Sequence, residues 1–258
     1  MKPQQNFRNN FMRSRVARLN VRPEFNDTVI DDQGNRAYWE RAAVCSCLSE
    51  DSGQPDFSCQ ICHGRGYRYM NPEEIIVGVQ SLSSTYKLGT LELYEPGTCM
   101  ITPMSNVIMG YMDKLTFPDF RCAFSEVLRF SKDMYGLGVS KPLYRNVCSI
   151  VSLTNAQYEY EEGVDFEVTN DRFHIRWLTP ELSEQCDGKN FSLLYITTPV
   201  YLIVDVMHEL RGTRSNQNSP EVTYRELQKQ YKAQREQFTY GVASPEPVES
   251  NSAEGEGI

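Results

Sequence analysis

The sequence predicts a mainly β fold, a barrel or sandwich core with an inserted zinc-binding loop and peripheral N- and C-terminal helices. Three observations predict it. From Gly66 to about Val206 the chain is a succession of short β-branched and aromatic runs, broken by Gly, Pro, Asn and Asp. Within it, residues 165–178 (DFEVTNDRFHIRWL) alternate apolar and polar on both sides of a ThrAsnAsp turn, the pattern of half-buried paired strands. Just before the β-rich stretch, Cys45, Cys47, Cys59 and Cys62 crowd into 18 residues.

Residues 1–44 read as a basic arm with a short helix. The first 22 residues carry Lys2, Arg8, Arg13, Arg15, Arg18 and Arg22 and no acid, and a short helix fits over 7–19. Two readings suit such a stretch: a solvated helix face, or an arm that docks on a partner through Arg8, Arg13, Arg15 and Arg18. Residues 36–44 are rich in helix formers and lead into the cysteine loop.

Residues 45–70 form that loop, which reads CSCLSEDSGQPDFSCQICHGRGY up to Tyr67. Its spacing is C-x-C, eleven residues, then C-x-x-C. Two tight thiolate pairs joined by a turn-rich linker make a tetrahedral four-sulfur shell, which zinc prefers. The linker has almost nothing apolar to hold it. A structural zinc would supply roughly 10 kcal/mol or more of folding free energy. Gly64 and Gly66 allow the positive φ that lets backbone N–H groups turn toward sulfur. Two disulfides or four free thiols are the competing states, and His63 could stand in for Cys62 as a ligand. A shell of four cysteines leaves no open position, so the zinc is structural rather than catalytic. The other four cysteines, Cys99, Cys122, Cys148 and Cys186, are scattered. The first three sit in strand-like contexts and read as small buried hydrophobes.

Residues 71–210 are the barrel-like core. Strands are predicted at 74–82, 98–103, 111–117, 120–130 and 143–153, in the 165–178 hairpin, and at 191–196 and 200–206, the last two split by ThrThrPro. His174 falls on the polar phase of its hairpin and reads as a surface residue. Residues 211–240 are the C-terminal helix. It is predicted over 220–238, opening with Pro and Glu, with a narrow stripe of Val222, Tyr224, Leu227, Tyr231 and Phe238. Residues 241–258 hold four glutamates, no base and little to bury, and read as a disordered acidic tail.

Composition sets the outer limits. A chain of 258 residues can bury a sizeable core without staples. No run approaches the roughly 20 apolar residues of a membrane-spanning helix, and the N-terminus lacks a signal-peptide h-region. The net charge of −8 argues against bulk nucleic-acid binding. There is no G-x-S-x-G elbow, Walker loop or zincin helix, and three histidines leave few general bases. The expectation is a protein that is not an enzyme.

Two resemblances follow from quoted residues. Cys59-x-x-Cys62-x-Gly64-x-Gly66 is similar to the C-x-x-C-x-G-x-G element of J-domain co-chaperones, over eight residues and once only. The order of features across the chain resembles the head-to-tail connector (neck or head-closure) proteins of tailed bacteriophages. A basic arm precedes the cysteine stretch, then comes the YEYEEGVDFEV…FHIRW hairpin and the strand pair FSLLYITTPVYLIV. That resemblance implies a non-enzymatic virion subunit, assembled in the host cytoplasm as a homo-oligomeric ring. It implies portal and tail or neck proteins as neighbours, DNA passing through without sequence-specific contact, and no membrane. Another tail or baseplate role would carry the same texture. The alternative from the residues alone is a zinc-ribbon nucleic-acid-binding or regulatory protein, drawing on ArgGlyTyrArgTyr at 65–69 and the arginine arm, because Arg and Tyr together stack bases and neutralise phosphate.

Overall fold

Six antiparallel strands close into a barrel, and a second sheet is inserted between two of them. The computed structural model describes residues 23–49, 52–81, 97–130, 143–207, 212–215 and 223–239. In chain order the elements are α1 (Pro23–Gln33), β1 (Asn35–Val44), β2 (Tyr67–Ser81), β3 (Thr98–Pro103), β4 (Lys114–Thr116), β5 (Cys122–Arg129), β6 (Val147–Thr154), β7 (Glu159–Tyr160), β8 (Phe166–Val168), β9 (Ile175–Trp177), α2 (Pro180–Cys186), β10 (Asn190–Thr197), β11 (Val200–Val206), β12 (Gly212–Ser215), β13 (Thr223–Glu226), β14 (Tyr231–Arg235) and α3 (Glu236–Thr239). The arm at 1–22, with its helix over 7–19 and Arg8, Arg13, Arg15 and Arg18, lies outside the described residues, as does the tail at 241–258.

The barrel runs β1-β2-β3-β14-β11-β4 and closes between β4 and β1, where Tyr38 faces Thr116 and Glu40 faces Lys114. Its interior is filled by Ala37, Trp39, Val77, Ile101, Leu115, Ile203 and Tyr231. A six-stranded barrel is narrow enough for side chains to fill it. Cys99 belongs to this core, and burial pushes its thiol up to about 12, as a small hydrophobe should behave.

The second unit occupies the connection from β4 to β11. Strands β5-β10-β6-β7 form one sheet, whose inner face packs Phe124, Leu128, Leu153, Phe191 and Leu193 against Trp177 and Ile175 of the β8–β9 hairpin and Cys186 of α2. The hairpin predicted at 165–178 is therefore present. Two prolines mark where the chain crosses between units, Pro118 on the way out and Pro199 on the way back. The crossings lie side by side, with Phe117 N donating to Pro199 O at 3.1 Å. The ThrThrPro break is thus a change of sheet.

Two expected helices are strands. Residues 36–44 form most of β1, because pairing with β2 and β4 and the alternate burial of Ala37 and Trp39 outweigh the weak helix preference of Arg, Glu and Ala. Among the described residues, the helix over 220–238, and with it the C-terminal helix assigned to 211–240, is replaced by β12, β13, β14 and the four-residue α3; positions 216–222, Val222 included, lie outside the described residues. Tyr231 and Ala233 enter the barrel core at period two, so Tyr231, read as part of a helical stripe, is a strand residue instead, while Leu227 lies in the loop before β14 and Phe238 in α3. The core consequently reaches beyond 71–210 at both ends.

Helix α1 has no counterpart among the sequence expectations. It opens with Pro23 at its first position and Glu24 in its first turn, both suited to a helix N-terminus. Gly34 joins it tightly to β1: a Cβ there would meet Ile30 O at 2.3 Å. Polar contacts dock the helix. Asp27 accepts from Ser105 N at 2.7 Å, Ser105 Oγ at 2.6 Å and Gln228 Nε2 at 2.8 Å. Burial opposes ionisation of Asp27, but those hydrogen bonds outweigh it and hold the carboxyl below its ordinary value. A depressed carboxyl adds stability that is full above its unfolded pKa and lost as pH falls through the folded one. The stability difference between wild type and Asp27→Asn should therefore be largest near neutral pH and shrink on acidification below about pH 4, read from urea melts at each pH.

One buried carboxylate shapes the approach to the cysteine loop. Pairing between β1 and β2 shifts between Trp39/Glu73 and Arg41/Met70, where Asn71 takes a φ of 52°. This bulge bends the hairpin. Asp113 fills the bend, accepting from Trp39 Nε1 at 2.8 Å, Ala42 N at 2.8 Å and Gly110 N at 2.7 Å.

Candidate metal centre

The cysteine loop closes the β1–β2 hairpin. Its stem is set by the pairing of Val44 with Tyr67 and by Cys45 N donating to Gly66 O at 2.8 Å. Cys45 and Cys47 leave the end of β1, while Cys59 and Cys62 sit on the returning turn. The four sulfurs lie within 4.8 Å of one another, with Cys45 to Cys59 at 3.8 Å and Cys47 to Cys62 at 3.4 Å. Sulfurs of a tetrahedral shell with metal–sulfur bonds near 2.3 Å sit about 3.8 Å apart, so the donor set fits one divalent ion. All four predicted ligands are thus brought together.

Backbone geometry supports the cluster. His63, Gly64 and Gly66 have φ values of 51°, 77° and 78°. His63 N donates to Cys59 O at 2.8 Å and Arg65 N to Cys62 O at 3.1 Å, closing the turn. The positive φ expected of Gly64 and Gly66 is present, and both are also tightly packed: a Cβ on Gly64 would meet Phe57 Cα at 3.3 Å, and one on Gly66 would meet Leu48 Cδ1 at 3.2 Å. His63 is exposed and stands outside the four-sulfur group. The thiols differ in acidity. Backbone N–H groups of Cys62 and Ile61 lower Cys59 to about 7, whereas desolvation pushes Cys47 up to about 12. A bound cation would displace the remaining protons, which couples loop folding to metal.

A buried ion network that the sequence reading missed ties the loop to both units. Glu236, at the start of α3, takes Arg145 Nη2 on one oxygen at 2.6 Å and Arg65 Nη1 on the other at 3.0 Å. Arg145 comes from the inserted unit and Arg65 from the cysteine turn. Both guanidinium groups also face the Tyr144 ring, at 5.0 Å for Arg65 and 5.3 Å for Arg145. Nearby, Glu126 accepts from Tyr195 Oη at 2.8 Å, and burial followed by that carboxylate raises the Tyr195 phenol. Arg145 and Glu236 are 91 residues apart, and Glu126 and Tyr195 are 69, so no local motif announces them.

The ArgGlyTyrArgTyr stretch is largely committed within the chain. Arg65 is bound to Glu236, Tyr67 packs edge-on against Tyr111 with ring centres 6.4 Å apart, and Tyr69 lies under Lys114 Nζ at 4.7 Å. At the far side of the loop, Phe57 and Ile61 are 80% and 62% exposed. His174 pairs with Asp171 at 2.8 Å on the hairpin surface, as its polar phase implied. No helix among the described residues is long and apolar enough to cross a membrane. Neither family models nor curated proteins give a match to this chain.

Proposed function

We propose that the protein is a structural subunit of a tailed-phage virion, placed in the head-to-tail connector, where it joins portal to tail. The cysteine loop carries this reading. A shell of four cysteines offers a metal no coordination position for a substrate, and zinc is the ion such a donor set favours. The loop is fixed to both units of the chain through Glu236, yet presents Phe57 and Ile61 to solvent. Apolar side chains held out on a rigid turn are interface anatomy. With the barrel interior filled by side chains, a DNA channel would run between subunits of a ring and not through one subunit. The net charge of −8 suits a wall along which DNA slides without being held. The arm, with Arg8, Arg13, Arg15 and Arg18, would dock on neighbouring portal, neck or tail proteins. A zinc-ribbon nucleic-acid binder is the weaker reading, because Arg65, Tyr67 and Tyr69 are occupied within the chain.

Quantitative mass spectrometry of purified phage particles encoding this chain tests the reading. The expected result is the protein in mature particles at a fixed ratio to the portal subunit. Its absence from mature particles would overturn the proposal.

A further inference from the structure

The loop cysteines face one another across the loop. Cys45 and Cys47 belong to the limb leaving β1, Cys59 and Cys62 to the limb returning to β2. Cys45 Sγ lies 3.8 Å from Cys59 Sγ, and Cys47 Sγ lies 3.4 Å from Cys62 Sγ. Each pair joins a buried thiol, Cys45 or Cys62, to a half-buried one, Cys59 or Cys47. Drawing either pair to disulfide length, about 2.05 Å, asks the sulfurs to approach by less than about 2 Å. A bond between Cys45 and Cys47, one residue apart, would close a far smaller and strained ring. The stem that brackets both pairs, Val44 with Tyr67 and Cys45 N with Gly66 O, holds the limbs in place whichever link joins them. The other cysteines stand apart: Cys99 and Cys186 are buried in the two cores, and neither Cys122 nor Cys148 belongs to the four-sulfur group.

We propose that the loop is a redox modification site, in which a peroxide oxidises Cys45 with Cys59 and Cys47 with Cys62 to two disulfides and drives the metal out. This rests on the four cysteines holding zinc, as in the proposed function, and adds what that shell does when oxidised. A subunit assembled in a thiol-rich cytoplasm and then released in a particle passes from conditions that keep the zinc form to conditions that favour the disulfides.

The half-buried sulfur of a pair is the one a peroxide reaches. Its thiolate attacks one peroxide oxygen, the O–O bond breaks, hydroxide leaves and a sulfenic acid forms. The buried partner thiolate then attacks that sulfur, and a second hydroxide leaves as the S–S bond forms. Two electrons pass from the sulfurs to the peroxide. Two thiolates remain, too few for a tetrahedral shell, so the ion leaves and the second pair repeats the steps. In sum, one zinc-bound shell of four thiolates, two hydrogen peroxides and four protons give one zinc ion, two disulfides and four waters.

Hydrogen peroxide added to the full chain, reduced, loaded with zinc and then freed of reductant, tests it. Native mass spectrometry reads the zinc before oxidant, and a chromogenic chelator follows its release. The expected result is one zinc freed per two disulfides, with the denatured chain four hydrogens lighter and no oxygen added. Cleavage after Glu50 parts the limb bearing Cys45 and Cys47 from the limb bearing Cys59 and Cys62. The disulfides should keep the limbs joined, and fragmentation of the joined peptides should place the bonds at Cys45–Cys59 and Cys47–Cys62. Without peroxide the zinc form is expected to persist, and a thiol reductant with zinc should restore it. Cys122→Ser/Cys148→Ser, which removes two half-buried thiols outside the loop, should respond as the wild type does. Zinc retained under peroxide, oxygen added to sulfur without disulfides, bonds between other pairs, or limbs that separate on cleavage would overturn the exchange and leave the zinc reading standing. A reduced chain that takes up no zinc would overturn both.

Discussion

Cys59→Ser protein is expected to purify without metal, with its barrel intact and its 45–66 loop open to protease. Removing one sulfur leaves three donors, and the loop has few other contacts to hold it. Free zinc modules gain roughly 10 kcal/mol or more from the ion, but here the loop is anchored at both ends by a paired hairpin. Part of the chain-closure cost is therefore already met. We expect a loss of several kcal/mol in the stability of the loop and a visible fall in melting temperature. The barrel should survive, because its core of Trp39, Ile101, Leu115 and Tyr231 contains none of the four sulfurs. Limited proteolysis and near-ultraviolet circular dichroism check both halves. New cleavage confined to 45–66 is the predicted outcome, while global unfolding would mean that the barrel itself depends on the metal.

Glu236→Ala is expected to cost about 3–5 kcal/mol, the usual price of stranding a buried charge. Arg145 is almost fully enclosed and would lose its only described carboxylate partner, while Arg65, more exposed, would lose less. Chemical denaturation reads the loss. Glu236→Gln keeps the shape and one acceptor and should fall between the two. The network also predicts coupling. Once Cys59→Ser has freed the loop, Arg65 no longer has a fixed position, so removing Glu236 as well should cost less than the two single losses added together. Strict additivity would show that the loop and the inserted unit are held independently.

The sequence exposed what is local. The cysteine spacing and two glycines sufficed for the four-cysteine cluster, because cysteines, turn and φ requirements all lie within 22 residues, from Cys45 to Gly66. The 165–178 hairpin was legible for the same reason, its alternation and its turn being adjacent. What depends on distant pairing was not legible. Residues 36–44 have helix-forming composition, and only the strands on either side make them β1. Tyr231 read as part of a helical stripe, whereas β3 and β11 flank it and make it a strand residue. Glu236 and Arg145 are 91 residues apart, and neither sits in a motif. Asp113 was hidden in a segment read as one strand, where its role is to satisfy the bulge opposite. Proline gave one fair long-range hint: the break before Val200 marks where the chain leaves the inserted sheet for the barrel.

The central claim is that Cys45, Cys47, Cys59 and Cys62 hold one structural zinc on which the loop depends. Native mass spectrometry of the intact protein, before and after a strong chelator, tests it most directly. The account predicts one zinc per chain, lost to the chelator together with a shift to higher charge states as the loop opens. A metal-free chain whose mass is four hydrogens lighter, reporting two disulfides, would contradict it.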